Sequence, residues 1–573
     1  MRYTLTFSWL DEQLIHVAIE ATFSTAESIW RIPLWRPGRY ALQDYPQNIQ
    51  DFEVEDVAGN PLEWERISMH EWRVLGQVGK SYKIQYKYFA NQLDAGASYL
   101  QDDLIYVNGI NLCMYEKGIE DQPCELSLHL PKDFVLGGNT LSTTSHPFKS
   151  YHALVDTPFL AAKQLDIYEF DVEGLKVNLT LAGGELPDLE QFQGELSLII
   201  RNQLKIFGSI PTKVYTFWVI LLPESFRHGV EHQDSTVIVM GPAHSFSRKL
   251  IYQSFLEICS HEFFHVWNVK AMRPKDLNPY DYSVAQYSKL HYITEGITTY
   301  YGFYTLLRTR ICSFSDWLEM ANQELKKFAL SGGGAFISLT EASLNSWVNG
   351  YHLKGAPNRR ISFYTKGHLV ALLLDFLLRR ASNHAVSMDK VLFELYEMSR
   401  KNGGAFKEED FSGIISSLEL IDYTAFYRQY ISGIEDLTPL LEKFAQFIGL
   451  VLVAKPYPSV SESLLGVKVR EEELRGRVVV ENFLPMLTDT MGLMREDELV
   501  AFGGNKILGN WKDLLLSYRG VKGVSLHVFR MGKLRELTLD VPDAFQFSYV
   551  QFAMSLNPSS DQLENREKWA SYR

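Results

Sequence analysis

The sequence predicts a multidomain α+β protein, and three observations lead to this prediction. A chain of 573 residues is too long for one hydrophobic core, so we expect roughly two to four domains. The first 170 or so residues alternate between apolar and polar side chains, as strands do, and strand-like segments return after residue 453. Between these regions, apolar residues recur at three- and four-residue intervals, which is typical of helices.

Residues 1–170 are predicted to form a β-sandwich-like domain. Segments such as LIHVAIEATF and YKIQYKYFA have a period of two, and turn-forming clusters such as VAGNPL and RPGRY separate them. Residues 171–452 are predicted to form a mainly α-helical domain, because patterns such as LIYQSFLEICSHEFFHVWNVK have helical spacing from about residue 186 onwards.

The C-terminal part of the chain is predicted to contain a small domain followed by a tail. LGVKVR, GRVVVENF and SLHVFR read as short strands within residues 453–545. Residues 546–573 are largely polar, and we expect them to form a loose tail.

Composition excludes some classes of function. With 69 acidic against 56 basic residues, the net charge is −13 and basic runs are absent, so no nucleic-acid partner is expected. The N-terminal stretch lacks the apolar segment of a secretory signal, and no run reaches the roughly 18 apolar residues of a spanning helix. We therefore expect no membrane span and a cytoplasmic protein.

Four cysteines are too few and too scattered for a disulfide framework. We expect buried thiols at Cys113, Cys124, Cys259 and Cys312. A pairing of Cys113 with Cys124 across a hairpin is the alternative at this point.

The segment SHEFFHVWNVK carries a possible metal site. On a helix, His261 and His265 lie on one face and can direct their imidazoles at one ion, with Glu262 beside them to take a proton from water. An H-E-x-x-H pattern should occur by chance roughly 0.03 times in such a chain. A helix whose histidines form hydrogen bonds in the core is the alternative interpretation.

A catalytic zinc needs a third protein ligand, and Glu295 in HYITEGITTYY is the candidate. This carboxylate lies on an otherwise uncharged predicted helix, where burial is costly without a partner or a metal. His291 lies one turn earlier and is an alternative ligand or an ordinary core residue. Two histidines and one glutamate predict one Zn²⁺ per chain, although these ligand types do not exclude cobalt or manganese.

Two further segments could complete a peptidase site. Tyr364 precedes a predicted helix start, where its phenol could stabilise an oxyanion, or where it could simply pack. A turn with Gly229 leads into a predicted strand with Glu231 and His232. A carboxylate on such a strand could bind the α-amine of a substrate, and a solvated loop acid is the alternative.

Together, HGVEHQDST, HEFFHVWN, PYDYS, EGITTYY and FYTKGHLVALLLD, with PLWRPGRY near the N-terminus, resemble the glycyl aminopeptidase family. These proteins are gluzincin zinc metallopeptidases with a thermolysin-like catalytic domain and a C-terminal PDZ domain. The sequence departs from the family pattern at His228, where we expect glycine, and at Phe363, where we expect the first of two tyrosines.

The resemblance implies a role for each matching residue. It implies zinc ligands at His261, His265 and Glu295, a general base at Glu262, an oxyanion donor at Tyr364 and an ammonium-binding carboxylate at Glu231, with Gly229 and His232 in the substrate-binding strand. It also implies preference for glycine or alanine at the N-terminus of the substrate.

The resemblance extends to the C-terminal region. SLLGVKV looks like the carboxylate-binding loop and strand of a PDZ domain, with Leu464, Leu465, Gly466 and Val467 as peptide-binding residues. The implied partner is a C-terminal peptide, and a spacer that binds nothing is the alternative.

The sequence thus predicts a zinc-dependent aminopeptidase that acts on peptides with a free N-terminus. A zinc endopeptidase with the same metal site is one alternative. A PDZ peptide-binding protein with a vestigial metal site is another.

Overall fold

The structure is a computed structural model that describes residues 1–138, 145–350, 360–472, 476–485, 487 and 489–571. It confirms a multidomain α+β protein with a β-rich N-terminal region and a large helical region after it. Within the described ranges, no helix is long and apolar enough to cross a membrane. All four cysteines are buried and unpaired, as predicted.

The N-terminal domain contains three sheets around one core. Its elements are β1 (Arg2–Trp9), β2 (Leu14–Thr22), β3 (Glu27–Arg31), β4 (Ile49–Asp56), β5 (Trp64–Arg66), β6 (Glu71–Leu75), β7 (Ser81–Phe89), β8 (Tyr99–Leu100), β9 (Leu104–Val107), β10 (Tyr115–Glu116), β11 (Cys124–His129), β12 (Val135–Leu136), β13 (Ser145–Phe148), α1 (Tyr151–Val155) and β14 (Phe159–Ala162).

Buried and exposed side chains alternate along the strands of this domain, and the buried ones form its core. In β7, Tyr82, Ile84, Tyr86 and Tyr88 are buried, while the residues between them face outwards. The six-stranded sheet has the order β13-β11-β1-β2-β7-β4, and four-stranded sheets have the orders β10-β3-β6-β5 and β12-β14-β9-β8.

The middle region contains a five-stranded sheet and most of the helices. Its elements are β15 (Asp166–Val172), β16 (Leu175–Ala182), α2 (Leu189–Phe207), β17 (Val214–Leu221), β18 (Phe226–Glu231), β19 (Ser235–Gly241), α3 (Lys249–Phe264), β20 (Arg273–Pro274), α4 (Thr298–Arg308), α5 (Phe314–Ser331), α6 (Leu339–Leu344), α7 (Phe363–Ala381), α8 (Met388–Lys401), β21 (Ala405–Phe406), α9 (Glu408–Ser417), α10 (Tyr423–Phe426) and α11 (Thr438–Phe447).

The sheet in this region corrects the predicted boundary at residue 170, which falls inside β15. Its order is β15-β16-β17-β19-β18, with parallel pairs at the centre and β18 at the edge. The central strands are buried on both faces, so they are nearly continuous apolar runs. Such runs lack the period of two by which sequence patterns identify a strand.

The C-terminal unit has a separate core. Its elements, with the flanking segments, are β22 (Leu450–Pro456), α12 (Val460–Leu465), β23 (Val467–Glu472), β24 (Arg477–Phe483), β25 (Glu498–Phe502), β26 (Asn505–Lys506), α13 (Trp511–Ser517), β27 (Val524–Arg530), β28 (Lys533–Leu539), β29 (Ser548–Met554) and α14 (Ser560–Ala570). The sheet order is β23-β24-β25-β27-β28, with β26 paired to β25. Strands β22 and β29 pair with each other outside this sheet.

The predicted loose tail at residues 546–573 is wrong. Strand β29 and helix α14 form there, and the helix has a capping box between Ser559 and Gln562. Trp569 is fully buried, and its ring stacks on that of Tyr304 with centroids 5.2 Å apart. The hydroxyl of Tyr304 donates a 2.6 Å hydrogen bond to the backbone carbonyl of Trp569. The segment is polar because α14 faces solvent on most sides, and one tryptophan anchors it.

Candidate metal centre and catalytic cleft

Three predicted ligands converge at one point. His261 and His265, at the end of α3, have their Nε2 atoms 3.1 Å apart. Oε2 of Glu295 lies 3.7 Å from Nε2 of His261 and 3.6 Å from Nε2 of His265. Ligand atoms around a tetrahedral zinc, with bonds of about 2.0–2.1 Å, are about 3.3 Å apart. The donor set and its spacing therefore fit a zinc ion.

A kink after α3 orients the second histidine. Residues Val266–Ala271 form a π-helical segment in which Asn268 has non-helical angles, φ −110° and ψ 80°. The Asn268 carbonyl lies 2.7 Å from Nδ1 of His265, so a proton on Nδ1 leaves Nε2 free to bind a metal. The Asn268 side-chain amide donates to the carbonyl of Ile293, at 2.9 Å, and to Oγ1 of Thr298, at 3.1 Å. Asn268 thus joins the two segments that carry the predicted metal ligands.

Two glycines bring Glu295 next to α7. Glu295 lies in the π-helical segment Tyr292–Ile297, directly before α4. A Cβ on Gly296 would lie 2.6 Å from the Cα of Gly367, and one on Gly367 would lie 2.8 Å from the Cα of Gly296. Only glycine permits this approach of two backbones. The Glu295-Gly296 and Lys366-Gly367 pairs of the sequence therefore meet at one contact between two backbones.

Burial disfavours every charge in this cluster. It lowers the pKa of His261 to about 4 and also lowers the pKa of His265. Burial raises the pKa of Glu295, and the charge of His265 opposes that increase. Neutral imidazoles are the form that binds a metal, and a divalent cation would stabilise the carboxylate as its anion. The electrostatics of the cluster therefore fit a metal as well as its geometry does.

Glu262 is buried beside the ligands, and its Oε2 has no hydrogen-bond partner in the part of the chain that the structure describes. Burial, followed by the charges of Glu231 and Glu295, raises the pKa of Glu262 well above its ordinary value. A Cβ on Gly229 of β18 would lie 2.3 Å from Oε1 of Glu262. Glycine at this position gives the glutamate its space.

Glu231, at the end of β18, belongs to the same site. One of its carboxylate oxygens, one of Glu262 and a ring nitrogen of His265 all lie within 4.8 Å of one another. Glu231 is buried, and its Oε1 lacks a hydrogen-bond partner among the described residues. The loop with Gly38 covers it, since a Cβ on this glycine, at φ +76°, would lie 2.6 Å from Oε2 of Glu231. The N-terminal domain thus contributes to the cleft.

His232 has a different position from the one predicted. It lies outside the residues that line the main cleft, and its Nδ1 is 3.1 Å from Oδ1 of Asp156 in the N-terminal domain. Asp156 also accepts hydrogen bonds from the backbone N–H of Gln233, at 3.1 Å, and from Nζ of the buried Lys270, at 2.9 Å. Although burial opposes the change, the charge of Lys270 and the contact with His232 hold the pKa of Asp156 below its ordinary value.

Tyr364 lines the cleft as the second residue of α7. The hydroxyl of Ser362 caps this helix by accepting a hydrogen bond from the backbone N–H of Thr365, at 3.2 Å. The ring of Phe363 stacks on Tyr364, with centroids 4.8 Å apart. The phenol is thereby held at a helix end that opens into the cleft.

His291 does not join the metal cluster. Its ring packs between Tyr40, with centroids 3.9 Å apart, and Phe363, at 5.4 Å. Neither ring nitrogen has a hydrogen-bond partner among the described residues, and burial lowers the pKa of His291 to about 3. His291 is therefore a neutral core residue between the N-terminal domain and α7. Of the two interpretations given by the sequence, a metal ligand or an ordinary core residue, the structure favours the second.

The cleft has a volume of about 560 Å³ and extends beyond the predicted residues. Arg227, Glu257 and Lys327 also line it. Sequence patterns gave no signal for these three, because single charged residues on a strand or helix occur on any solvated face.

The four residues predicted to bind a peptide in the C-terminal unit lie where α12 ends and β23 begins. Leu464, Leu465 and Val467 are buried in the core of that unit. Gly466 ends α12 with φ +69°, and its N–H donates to the carbonyl of Glu462 at 3.0 Å. The backbone N–H of Gly466 is therefore used by the end of α12.

Two parts of the chain match known protein families. Residues 2–163 match the family model of the peptidase M61 N-terminal domain, and residues 254–370 match that of M61 glycyl aminopeptidase. The second range contains His261, Glu262, His265, Glu295 and Tyr364. No curated protein matches the chain.

Among solved structures, an aminopeptidase N family protein from Idiomarina loihiensis is similar over 100% of both chains, with 26% identity and a TM-score of 0.88. An M1 zinc metallopeptidase from Deinococcus radiodurans has 14% identity and a TM-score of 0.47, over 76% of this chain and 93% of that one. The chain thus matches two M61 peptidase family models, over residues 2–163 and 254–370, and these matches support its assignment as a peptidase.

Proposed function

We propose that this protein is a zinc-dependent aminopeptidase that removes small N-terminal residues, preferably glycine or alanine, from peptides. The observation that carries the proposal is the arrangement around His265. A two-histidine, one-glutamate donor set lies beside one buried carboxylate, Glu262, and a second buried carboxylate, Glu231, follows at the end of an edge strand. The matched aminopeptidase domain and the preference implied by the sequence motifs support the choice of substrate.

The chemistry follows from the positions of the side chains. A zinc ion held by His261, His265 and Glu295 would supply Lewis-acid activation of water and of the scissile carbonyl. Glu262, whose pKa is raised by burial and by the charges of Glu231 and Glu295, takes a proton from the attacking water and transfers it to the leaving amine. Tyr364 donates a hydrogen bond to the oxygen that gains negative charge.

The buried carboxylate of Glu231 supports the exopeptidase register. A carboxylate oxygen without a hydrogen-bond partner in a cleft is costly unless a ligand satisfies it. An N-terminal ammonium group supplies both the positive charge and the donors. A substrate that pairs with the edge of β18 would then place its first peptide bond beside Glu262.

The test is release of glycine or alanine from short peptides, measured beside N-acetylated versions of the same peptides. We expect the zinc-loaded protein to act on the free-amine peptides alone. Internal cleavage of both forms would instead identify an endopeptidase with the same metal site. Equimolar zinc without hydrolysis of either form would identify a binding protein with a vestigial centre.

For the C-terminal unit we propose PDZ-type binding of a peptide C-terminus. The supporting observation is that β23 ends its sheet, with β24 as its single partner strand in the described part of the chain, so a peptide strand could add there. Binding of peptide acids, but not of their C-terminal amides, with NMR shift changes at residues 467–472 would support the proposal. A unit that binds neither form is a spacer.

A further inference from the structure

Strand β18 forms one side of the cleft, and its side chains alternate between two environments. Glu231, Gly229 and Arg227 line the cleft on the face towards α3. On the opposite face, Val230 packs in a small apolar core, and Nδ1 of His228 accepts a 3.2 Å hydrogen bond from a backbone N–H of the N-terminal domain. Along the cleft, Glu231 thus supplies a carboxylate, Gly229 lies beside the proposed general base, and Arg227 supplies a cation.

Among the described residues, Arg227 forms an ion pair with one partner, and its side chain remains accessible. Its guanidinium forms an ion pair with Glu257 of α3. The Glu257 side chain is 6% exposed, whereas that of Arg227 is 43% exposed and lines the cleft. A guanidinium offers five N–H donors in a planar fork, more than one carboxylate can use. The buried glutamate therefore fixes the arginine, and the exposed side of the fork can bind a second anion.

The residues that line the cleft include five carboxylates and three cations, Arg39, Arg227 and Lys327. Its carboxylates belong to Glu231, Glu257, Glu262, Glu295 and Glu324. A peptide that enters with a free C-terminal carboxylate meets repulsion from these groups unless a cation compensates for it. Arg227 pairs with Glu257, which lies one helical turn before His261 on α3, so this cation is on the side of the cleft that carries the proposed ligands.

The spacing indicates the length of the peptide. Glu257 precedes His261 by four residues on α3, which corresponds to about 6 Å along the helix. An extended peptide rises about 3.3 Å per residue, so its carboxylate would reach Arg227 about two residues beyond the scissile bond.

We propose that Arg227 binds the C-terminal carboxylate of short peptides and makes tripeptides with a free C-terminus the preferred substrates. The inference rests on the proposed aminopeptidase function and adds a second anchor to it. Glu231 holds the amine at one end of the substrate, and Arg227 holds the carboxylate at the other.

The experiment compares Gly-Ala-Ala with its C-terminal amide, using zinc-loaded full-length protein. For the wild type we expect kcat/KM to be at least about tenfold higher for the acid, mainly through KM, as for one charged hydrogen-bonded contact. Arg227→Gln should bring the acid-to-amide ratio close to one, and Arg227→Lys should retain part of the preference. The amide is an internal reference, because a general loss of activity or folding cancels in the ratio.

Two further variants sharpen the result. Arg201→Gln removes an arginine of α2 whose side chain is 46% exposed and pairs with Glu173 outside the cleft, and it should leave the ratio unchanged. Lys327→Gln removes another cation of the cleft, one that pairs with Glu324 at 2.6 Å. Loss of the preference in Lys327→Gln but not in Arg227→Gln would overturn the assignment.

The failure of this inference is distinguishable from the failure of the proposed function. A wild type that cleaves both peptides at equal rates overturns the role of Arg227 and leaves the aminopeptidase intact. A wild type that cleaves neither Gly-Ala-Ala nor its amide overturns both.

Discussion

The candidate metal centre is built from segments that are distant in sequence, whereas the C-terminal unit is built from one continuous part of the chain. The metal centre combines an N-terminal loop at Gly38, the edge strand β18, helix α3, the segment before α4 and the start of α7. The core of the C-terminal unit is made of residues between 464 and 541 alone. The first depends on close contacts between distant segments, whereas the second depends on local packing.

The proposed activity is therefore more sensitive to small movements around the candidate metal centre than to movements within the C-terminal unit. The metal centre is held by backbone approaches that only glycine permits and by buried polar links such as that of Asn268. A small shift of any one segment therefore changes the geometry of the reacting groups. The C-terminal unit can lose packing without moving those groups, because it has its own core. The following predictions test this contrast, in order of decreasing effect.

Glu262→Gln should have the largest effect. We expect kcat to fall about 10³-fold, because the amide cannot take a proton from water. Zinc content should remain near one per chain, since His261, His265 and Glu295 are unchanged. Elemental analysis beside steady-state kinetics measures both. Glu295→Ala is the contrasting variant, which should lose zinc itself. Full activity in Glu262→Gln would contradict the assigned role.

Trp569→Ala should destabilise the region around the metal centre, although it lies far away in sequence. We expect a loss of about 3–5 kcal/mol in the free energy of unfolding, because a buried tryptophan leaves a cavity against Tyr304 of α4. Urea denaturation measures this loss. Leu556→Ala is the matched control, because Leu556 is 96% exposed in the same segment. Equal stability of the two variants would show that α14 is not an anchor.

Asp156→Asn should cost about 3 kcal/mol at neutral pH, because it leaves the buried Lys270 without its partner. The pKa of Asp156 is lower in the folded protein than its ordinary value of 3.8, so its stabilising effect is present above that pH. The effect is lost as pH falls through the folded pKa. The Tm difference between wild type and variant should therefore shrink below about pH 3.8. A difference that is constant down to the acid limit would argue against the charge network.

Gly229→Ala should lower kcat/KM by about 10- to 100-fold, because the added methyl group displaces Glu262 from the position in which it acts. Gly194→Ala is the control, since a Cβ there, on the exposed face of α2, meets no atom within 4 Å. If Gly229→Ala were as active as Gly194→Ala, the contact between β18 and the general base would have no catalytic importance.

Leu526→Ala should have the smallest effect on catalysis. Leu526 is fully buried in the C-terminal unit, so the substitution should destabilise that unit by about 2–5 kcal/mol. We expect kcat/KM for short peptides to change by less than about twofold, because the two sites are packed independently. A large fall in activity would show that the unit supports the metal centre, and the contrast between the two regions would be wrong.

Local geometry explains what sequence patterns predicted in the metal centre. Residues i and i+4 share one helix face wherever a helix forms, so His261 and His265 could be paired from spacing alone. Glu295 was predicted because a carboxylate in an uncharged segment needs a partner. Both predictions use interactions within one or two helices, and the structure brings all three side chains together.

Other features depended on contacts that no local pattern contains. His232 contacts Asp156, and Trp569 anchors the C-terminal segment on Tyr304, so both features join residues that are distant in sequence. The sheet that begins at residue 166 has central strands that are buried on both faces. The hydrogen bond from the N–H of Gly466 to the carbonyl of Glu462 is a further example. The same residues could form an extended loop or a helix end, and the sequence alone does not show which hydrogen bonds they make.

Side-chain chemistry and backbone period alone therefore predicted the ligand types of the proposed metal site and the β-rich and helical regions of the chain. The contacts of Gly229 with Glu262 and of Gly38 with Glu231, and the position of Arg227 in the cleft, became evident from three-dimensional packing alone. The reason is physical, since close packing fixes such contacts to within fractions of an ångström between segments that the sequence leaves far apart.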